Sequence, residues 1–143
     1  MEANELMIGD WIEFTSKYGY GTGRIAAIEP REGSVEPTTF SVIKYKKDGT
    51  LFYVGVSKTC VRPIPLTPEI LDKNGLKHDT AEDAYAFRYI KDDISVLECY
   101  ANAGSRYRCI IAYGETRLRK TICFVHELQH AIRLCGIEKE IEL

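Results

Sequence analysis

The amino-acid sequence predicts a mainly β protein of the α+β kind: five short strands, a connector helix, then an antiparallel meander of three or four strands with one terminal helix. Three observations carry that expectation. Before Pro63 the chain alternates β-rich runs with turn chemistry. Around Pro68 the start and stop signals of a short helix stand close together. Beyond Ala84 apolar and polar residues alternate again, until a stretch with helical spacing ends at Gly136.

Composition narrows the classes before any motif is read. A chain of 143 residues holds one ordinary core or two small ones. With 45% hydrophobic and 28% charged residues it is neither disordered nor a membrane protein by composition. No apolar run reaches the length of a membrane span, and the acidic start Met1-Glu2-Ala3-Asn4-Glu5 is unlike a secretory signal, so a cytoplasmic location is expected. The five cysteines, Cys60, Cys99, Cys109, Cys123 and Cys135, are odd in number and form no C-x-x-C pair, which points to reduced thiols used as small hydrophobes. The net charge of -2, with the part up to Ile64 neutral and the part after it slightly acidic, does not suit a strong nucleic-acid binder.

In the run Ile8-Gly9-Asp10-Trp11-Ile12-Glu13-Phe14 the last residues alternate, with Ile12 and Phe14 on one face and Trp11 and Glu13 on the other. Lys17-Tyr18-Gly19-Tyr20-Gly21-Thr22-Gly23 is read as a glycine-rich turn before a strand at Arg24-Ile25-Ala26-Ala27-Ile28; a phosphate cradle would want a helix there instead. Residues 39–45 and 51–56 flank Asp48-Gly49, a strong hairpin signal. Ser57-Lys58-Thr59 then makes one tight turn before a last strand at Cys60-Val61-Arg62-Pro63. This half resembles an SH3-like small barrel of the KOW or Tudor type, and is expected to be a unit over 1–64.

The connector occupies 65–79. Thr67 can cap, Pro68 fits the first helical position, Glu69 meets the positive end of the dipole, and Gly75 stops the helix. A polar loop over 78–83 follows it, and the third part is 80–143. Alternation at Tyr85, Phe87 and Tyr89 starts the meander, which turns at Asp92-Asp93, at Asn102-Ala103-Gly104-Ser105 and at Gly114-Glu115, with an edge strand over 116–120. A helix over 121–135 and a charged tail complete the chain.

Within that helix Val125-His126-Glu127-Leu128-Gln129-His130-Ala131 spells H-E-x-x-H. Histidines four apart share a helix face and can bind one zinc, with the glutamate as general base on metal-bound water. Counting about 100° per residue from Ile122, however, the apolar stripe spans about 200° to 300° while His126 and His130 fall near 40° and 80°. The histidines are therefore expected on an exposed face. The metzincin pattern is not continued, since Arg133 and Gly136 stand where glycine and histidine would be needed. Cys123, near 100° on the same wheel, could join His126 and His130 in a closed structural site.

Taken together, Ile8-Gly9-Asp10-Trp11, the stretch Ile64-Pro65-Leu66-Thr67-Pro68-Glu69-Ile70-Leu71 with Asn74-Gly75, and Val125 to Ala131 resemble a family of short proteins of gut Bacteroides-type bacteria and their phages or mobile elements. The resemblance runs through nearly the whole chain. In that family the final helix commonly reads V-H-x-L-Q with asparagine where this chain has His130, which implies that a zinc pair does not define it. The resemblance implies a small accessory protein and carries no activity.

The expected function is thus a non-enzymatic binding or adaptor module, with no catalytic residue and no cofactor, whose partner is a protein or, more weakly, a nucleic acid. The contact residues would be Trp11, Tyr18, Tyr20 and Tyr53, aromatic side chains being frequent anchors of interfaces; Trp11 serves equally well as filling between the halves. The first alternative is a small zinc hydrolase with Glu127 as base and His126, His130 and Cys123 as candidate ligands. The second is nucleic-acid binding through the basic 106–120 segment, with Arg117, Arg119 and Lys120.

Overall fold

A computed structural model describes residues 5–30, 33, 37–45, 48–75, 78–79, 84–85, 87–92, 95–102, 106–113, 116–134 and 136–143, with side chains described for 5–29, 33, 39–44, 48–75, 107, 117–134 and 136–143. Residues 80–83 of the expected polar loop, the thiol of Cys135, and the turn residues 46–47, 93, 103–105 and 114–115 lie outside them, while His78 and Asp79, expected as loop, form a short strand because they pair with Tyr85 and Ala84. The chain divides into two compact units, Met1–Ile64 and Pro65–Leu143.

The first unit is a five-stranded antiparallel sheet. Its strands are β1 (Trp11–Ser16), β2 (Gly19–Pro30), β3 (Pro37–Tyr45), β4 (Leu51–Ser57) and, after one 3₁₀ turn at Lys58–Cys60, β5 (Val61–Pro63). They lie in the order β4-β3-β2-β1-β5. Alternation behaves as period two requires: Ile12 and Phe14 are buried while Trp11 and Glu13 are partly exposed. Leu6, Ile25, Phe40, Val42, Val54, Val56 and Val61 complete the core with them. Among the described residues no ladder joins β4 to β5, so the sheet is open. A bulge between Ile25 and Ala27 bends the long β2.

The glycine-rich segment differs from its reading as a turn. Only Lys17 and Tyr18 form the turn; Gly21 and Gly23 already pair with Phe14 and Ile12 inside the sheet. The reason is a close approach. A Cβ on Gly23 would stand 2.5 Å from Val42 Cγ1 and 2.6 Å from the carbonyl oxygen of Ile43.

The second unit begins with α1 (Pro68–Lys73), where the Thr67 hydroxyl accepts from the Ile70 amide and Gly75 takes a positive φ. Two-residue strands β6 (His78–Asp79) and β7 (Ala84–Tyr85) pair, and then β8 (Phe87–Asp92), β9 (Ser95–Asn102), β10 (Arg106–Tyr113) and β11 (Thr116–Ile122) form a four-stranded antiparallel meander in the order β11-β10-β9-β8. The helix α2 covers Val125–Leu134, four residues shorter at its start than expected, because Thr121 and Ile122 belong to β11. It ends as glycine at C′ dictates: the amide of Gly136, at φ 63°, donates to Arg133 and that of Ile137 to Ile132.

The charged tail is built into this unit. Ile141 is fully buried, at 0% exposure. Gln129 grips the tail with both ends of its amide, Nε2 donating to the Lys139 carbonyl at 2.9 Å and Oε1 accepting from the Ile141 amide at 2.7 Å. At the end of α1, Asn74 does the same to Glu142, accepting at 2.8 Å and donating at 2.7 Å. Lys73 and Lys139 add bonds to the carbonyls of Leu143 and Asn74.

Candidate functional site

The H-E-x-x-H segment sits at the point where β11 passes into α2. Glu127 is the third residue of that helix, and its Oε2 accepts from the backbone amides of Cys123 at 2.8 Å and Phe124 at 3.2 Å. A carboxylate there answers donors that a helix start leaves open and sits at the positive end of the dipole. Lys120 Nζ stands 3.9 Å from its other oxygen. Glu127 is thus a cap.

The histidines are not placed as the helical wheel expects. His126 is only 3% exposed and His130 is half-buried. The wheel finds one apolar stripe, but α2 is covered on more than one side: the tail engages Gln129, and the Phe124 ring stacks on His126 with centroids 5.8 Å apart at 10°. His130 meets His126 edge-on at 5.7 Å. Cys123 is half-buried. Among the described residues no three His, Cys, Asp or Glu side chains gather as a metal-binding set, so Cys123, His126 and His130 are not brought together as one.

A more open concavity lies in the first unit. A groove of about 540 Å³ is bordered by Thr15 and Ser16 at the end of β1, by Lys17 and Tyr18 of the turn, by Tyr53 to Ser57 of β4, and by Cys60. Its two tyrosines are largely exposed, Tyr18 at 76% and Tyr53 at 68%, and the Lys17 ammonium rests 5.0 Å from the Tyr18 ring. β4 is an edge strand. Among the described residues its ladder runs to β3 alone, and no other backbone hydrogen bond involves Tyr53 to Val56, while Ser57 caps the 3₁₀ turn.

The expected contact residues separate accordingly. Tyr18 and Tyr53 share the groove. Trp11 and Tyr20 lie on the face of the sheet opposite Ile12 and Phe14. There Trp11 is half-buried beneath the Arg24 guanidinium, 4.8 Å away. Tyr20 is exposed and hydrogen-bonds Glu13, which raises its phenol pKa above the usual range. Register joins the two regions: Trp11, Arg24, Ile43 and Tyr53 are successive cross-strand partners, so Tyr53 ends the row at the groove. The edge backbone of β4 and the residues Thr15, Ser16 and Cys60 were not legible as site residues, because strand order, which makes β4 an edge, is not written in local pattern.

The basic segment also divides. Arg117 and Arg119 are exposed on one face of β11, whereas Lys120 is on the other, beside Glu127. No helix among the described residues is long and apolar enough to cross a membrane. No family model, curated protein or solved structure matches the chain.

Proposed function

We propose that this protein is a non-enzymatic adaptor whose first unit takes an extended segment of a protein partner against β4. The observation that carries this reading is the open edge of Tyr53-Val54-Gly55-Val56-Ser57, which borders a groove and contains neither charge nor proline. Sheet edges are ordinarily blocked by lysine, proline or a covering element, since unpaired backbone groups invite another strand. The outer strand β11 of the second unit is blocked in that way by Arg117, Arg119 and Lys120. An added strand would gain main-chain hydrogen bonds along β4 and side-chain contact with Tyr18 and Tyr53. The strand order and the single 3₁₀ turn before β5 support reading the unit as an SH3-like barrel left open at this seam. The family resemblance favours an accessory role, in the cytoplasm, for a phage or mobile element.

A photo-crosslinking residue at Tyr53 tests this, with Leu134 of α2, 69% exposed, as the control position. A defined partner is expected from position 53 and not from 134. Its affinity should fall at least tenfold in the Tyr18→Ser/Tyr53→Ser variant, since losing a single hot-spot tyrosine costs about 2 kcal/mol or more and ~1.4 kcal/mol is already tenfold. Equal capture at both positions, or an unchanged affinity, would contradict the reading.

A further inference from the structure

The register of the second sheet sorts its residues by face. Tyr107 and Ile122, both buried, are cross-strand partners and mark the core face. Positions on that face include Phe87, Leu97, Cys99, Ile111 and Leu118. On the opposite face the charged strand positions are Arg88, Glu98, Arg106, Arg108, Arg117 and Arg119. Five arginine positions against one glutamate position fall on that face of the sheet, and of its residues Arg117, Arg119 and Thr121 are exposed. Lys120 falls on the other side. Edge protection accounts for arginine on β11 and β8. It does not account for Arg106 and Arg108, because β10 is an interior strand.

We propose that this face binds single-stranded nucleic acid through its phosphates. Register staggers the arginine positions of the adjacent strands β10 and β11: Arg108 faces Thr121, Arg119 faces Ile110 and Arg117 faces Ala112, so Arg106, Arg108, Arg119 and Arg117 follow one another in a diagonal line with steps of about 6.8 Å along the strands. That array suits an extended, multiply charged chain better than a point anion. Register sets Tyr100 directly opposite Arg108, which adds an aromatic position among the cations; stacking of bases beside a basic track is how single strands are held. A duplex fits less well, since its major groove admits a helix or a two-stranded ribbon and not a four-stranded sheet. The near-neutral net charge is no obstacle, for the arginines are concentrated on one face while the chain as a whole carries -2.

The test is fluorescence anisotropy of a labelled oligothymidylate titrated with the full chain between about 50 and 200 mM salt. The logarithm of affinity should fall linearly with the logarithm of salt concentration, with a slope near -3 for four or five phosphates at ~0.7 each. Arg117→Ser/Arg119→Ser should reduce that slope by about 1.4 and weaken binding about tenfold at the lowest salt. Lys120→Ser should leave both unchanged. Tyr100→Leu should weaken binding at every salt with the slope retained, the signature of stacking; if that variant does not fold, the exposed arginine pair decides alone. Absence of salt-dependent binding, equal loss in Lys120→Ser, or equal or tighter binding of a DNA duplex or of polyglutamate would overturn the proposal. None of these measurements involves the groove beside β4, so the two readings fail separately.

Discussion

Glu127 shows how one carboxylate can match a motif in sequence and also cap a helix in the fold. Its bonds to the Cys123 and Phe124 amides make it a helix cap. Glu127→Ala should therefore cost about 1 kcal/mol in chemical denaturation, whereas Glu127→Gln, which keeps the reach back to the amide, should cost less than half of that. The neighbouring imidazoles are predicted to differ: His126→Ala, at a buried position stacked on Phe124, should lose about 1–3 kcal/mol, and His130→Ala less. Equal and negligible losses would return both histidines to the surface. A pH effect belongs to this scale too. Glu69 has its carboxyl pKa lowered, by its own backbone amide and then by the Thr67 hydroxyl. A depressed folded-state value stabilises above the unfolded carboxylate pKa and is lost as pH falls through the folded one. The stability difference between the native chain and Glu69→Gln should accordingly be present at neutral pH and vanish in acid; a difference independent of pH would remove the capping charge from the account.

At the scale of elements, what the sequence disclosed was local chemistry. Asp48-Gly49 announced a hairpin, and Gly49 takes a positive φ while Asp48 accepts from the Thr50 amide at 2.9 Å. Thr67-Pro68 announced α1, and Ile12 and Phe14 announced the buried face of β1. What stayed hidden depends on residues distant in the chain. Gly21 and Gly23 read as turn because nothing local shows that Lys44 crowds the first and Val42 and the Ile43 backbone the second. Gly23→Ala is predicted to cost about 1–3 kcal/mol, because the carbonyl at 2.6 Å cannot yield as a flexible side chain would; a neutral substitution would show that β3 moves freely. The tail likewise read only as a charged stretch, since its partners Asn74, at the end of α1, and Gln129, in α2, are distant from one another in sequence. Gln129→Leu removes both bonds to the tail and should destabilise by about 2 kcal/mol or more, with faster hydrogen exchange at Ile141.

For the whole molecule, each unit contributes one sheet and one distinctive surface. In the first it is an uncharged edge beside Tyr18 and Tyr53; in the second it is an arginine-bearing face opposite the apolar one. The candidate tyrosines and Arg117 and Arg119 were legible in composition and run. Their grouping was not, because faces and edges follow from register and strand order. The most direct measurement of the central claim is amide hydrogen exchange of the chain with and without the partner captured at position 53. Strand addition predicts slowed exchange concentrated in residues 53–57 of β4, with α2 unaffected. Protection confined to α2, or a complex in which β4 exchanges as fast as in the free chain, would contradict it.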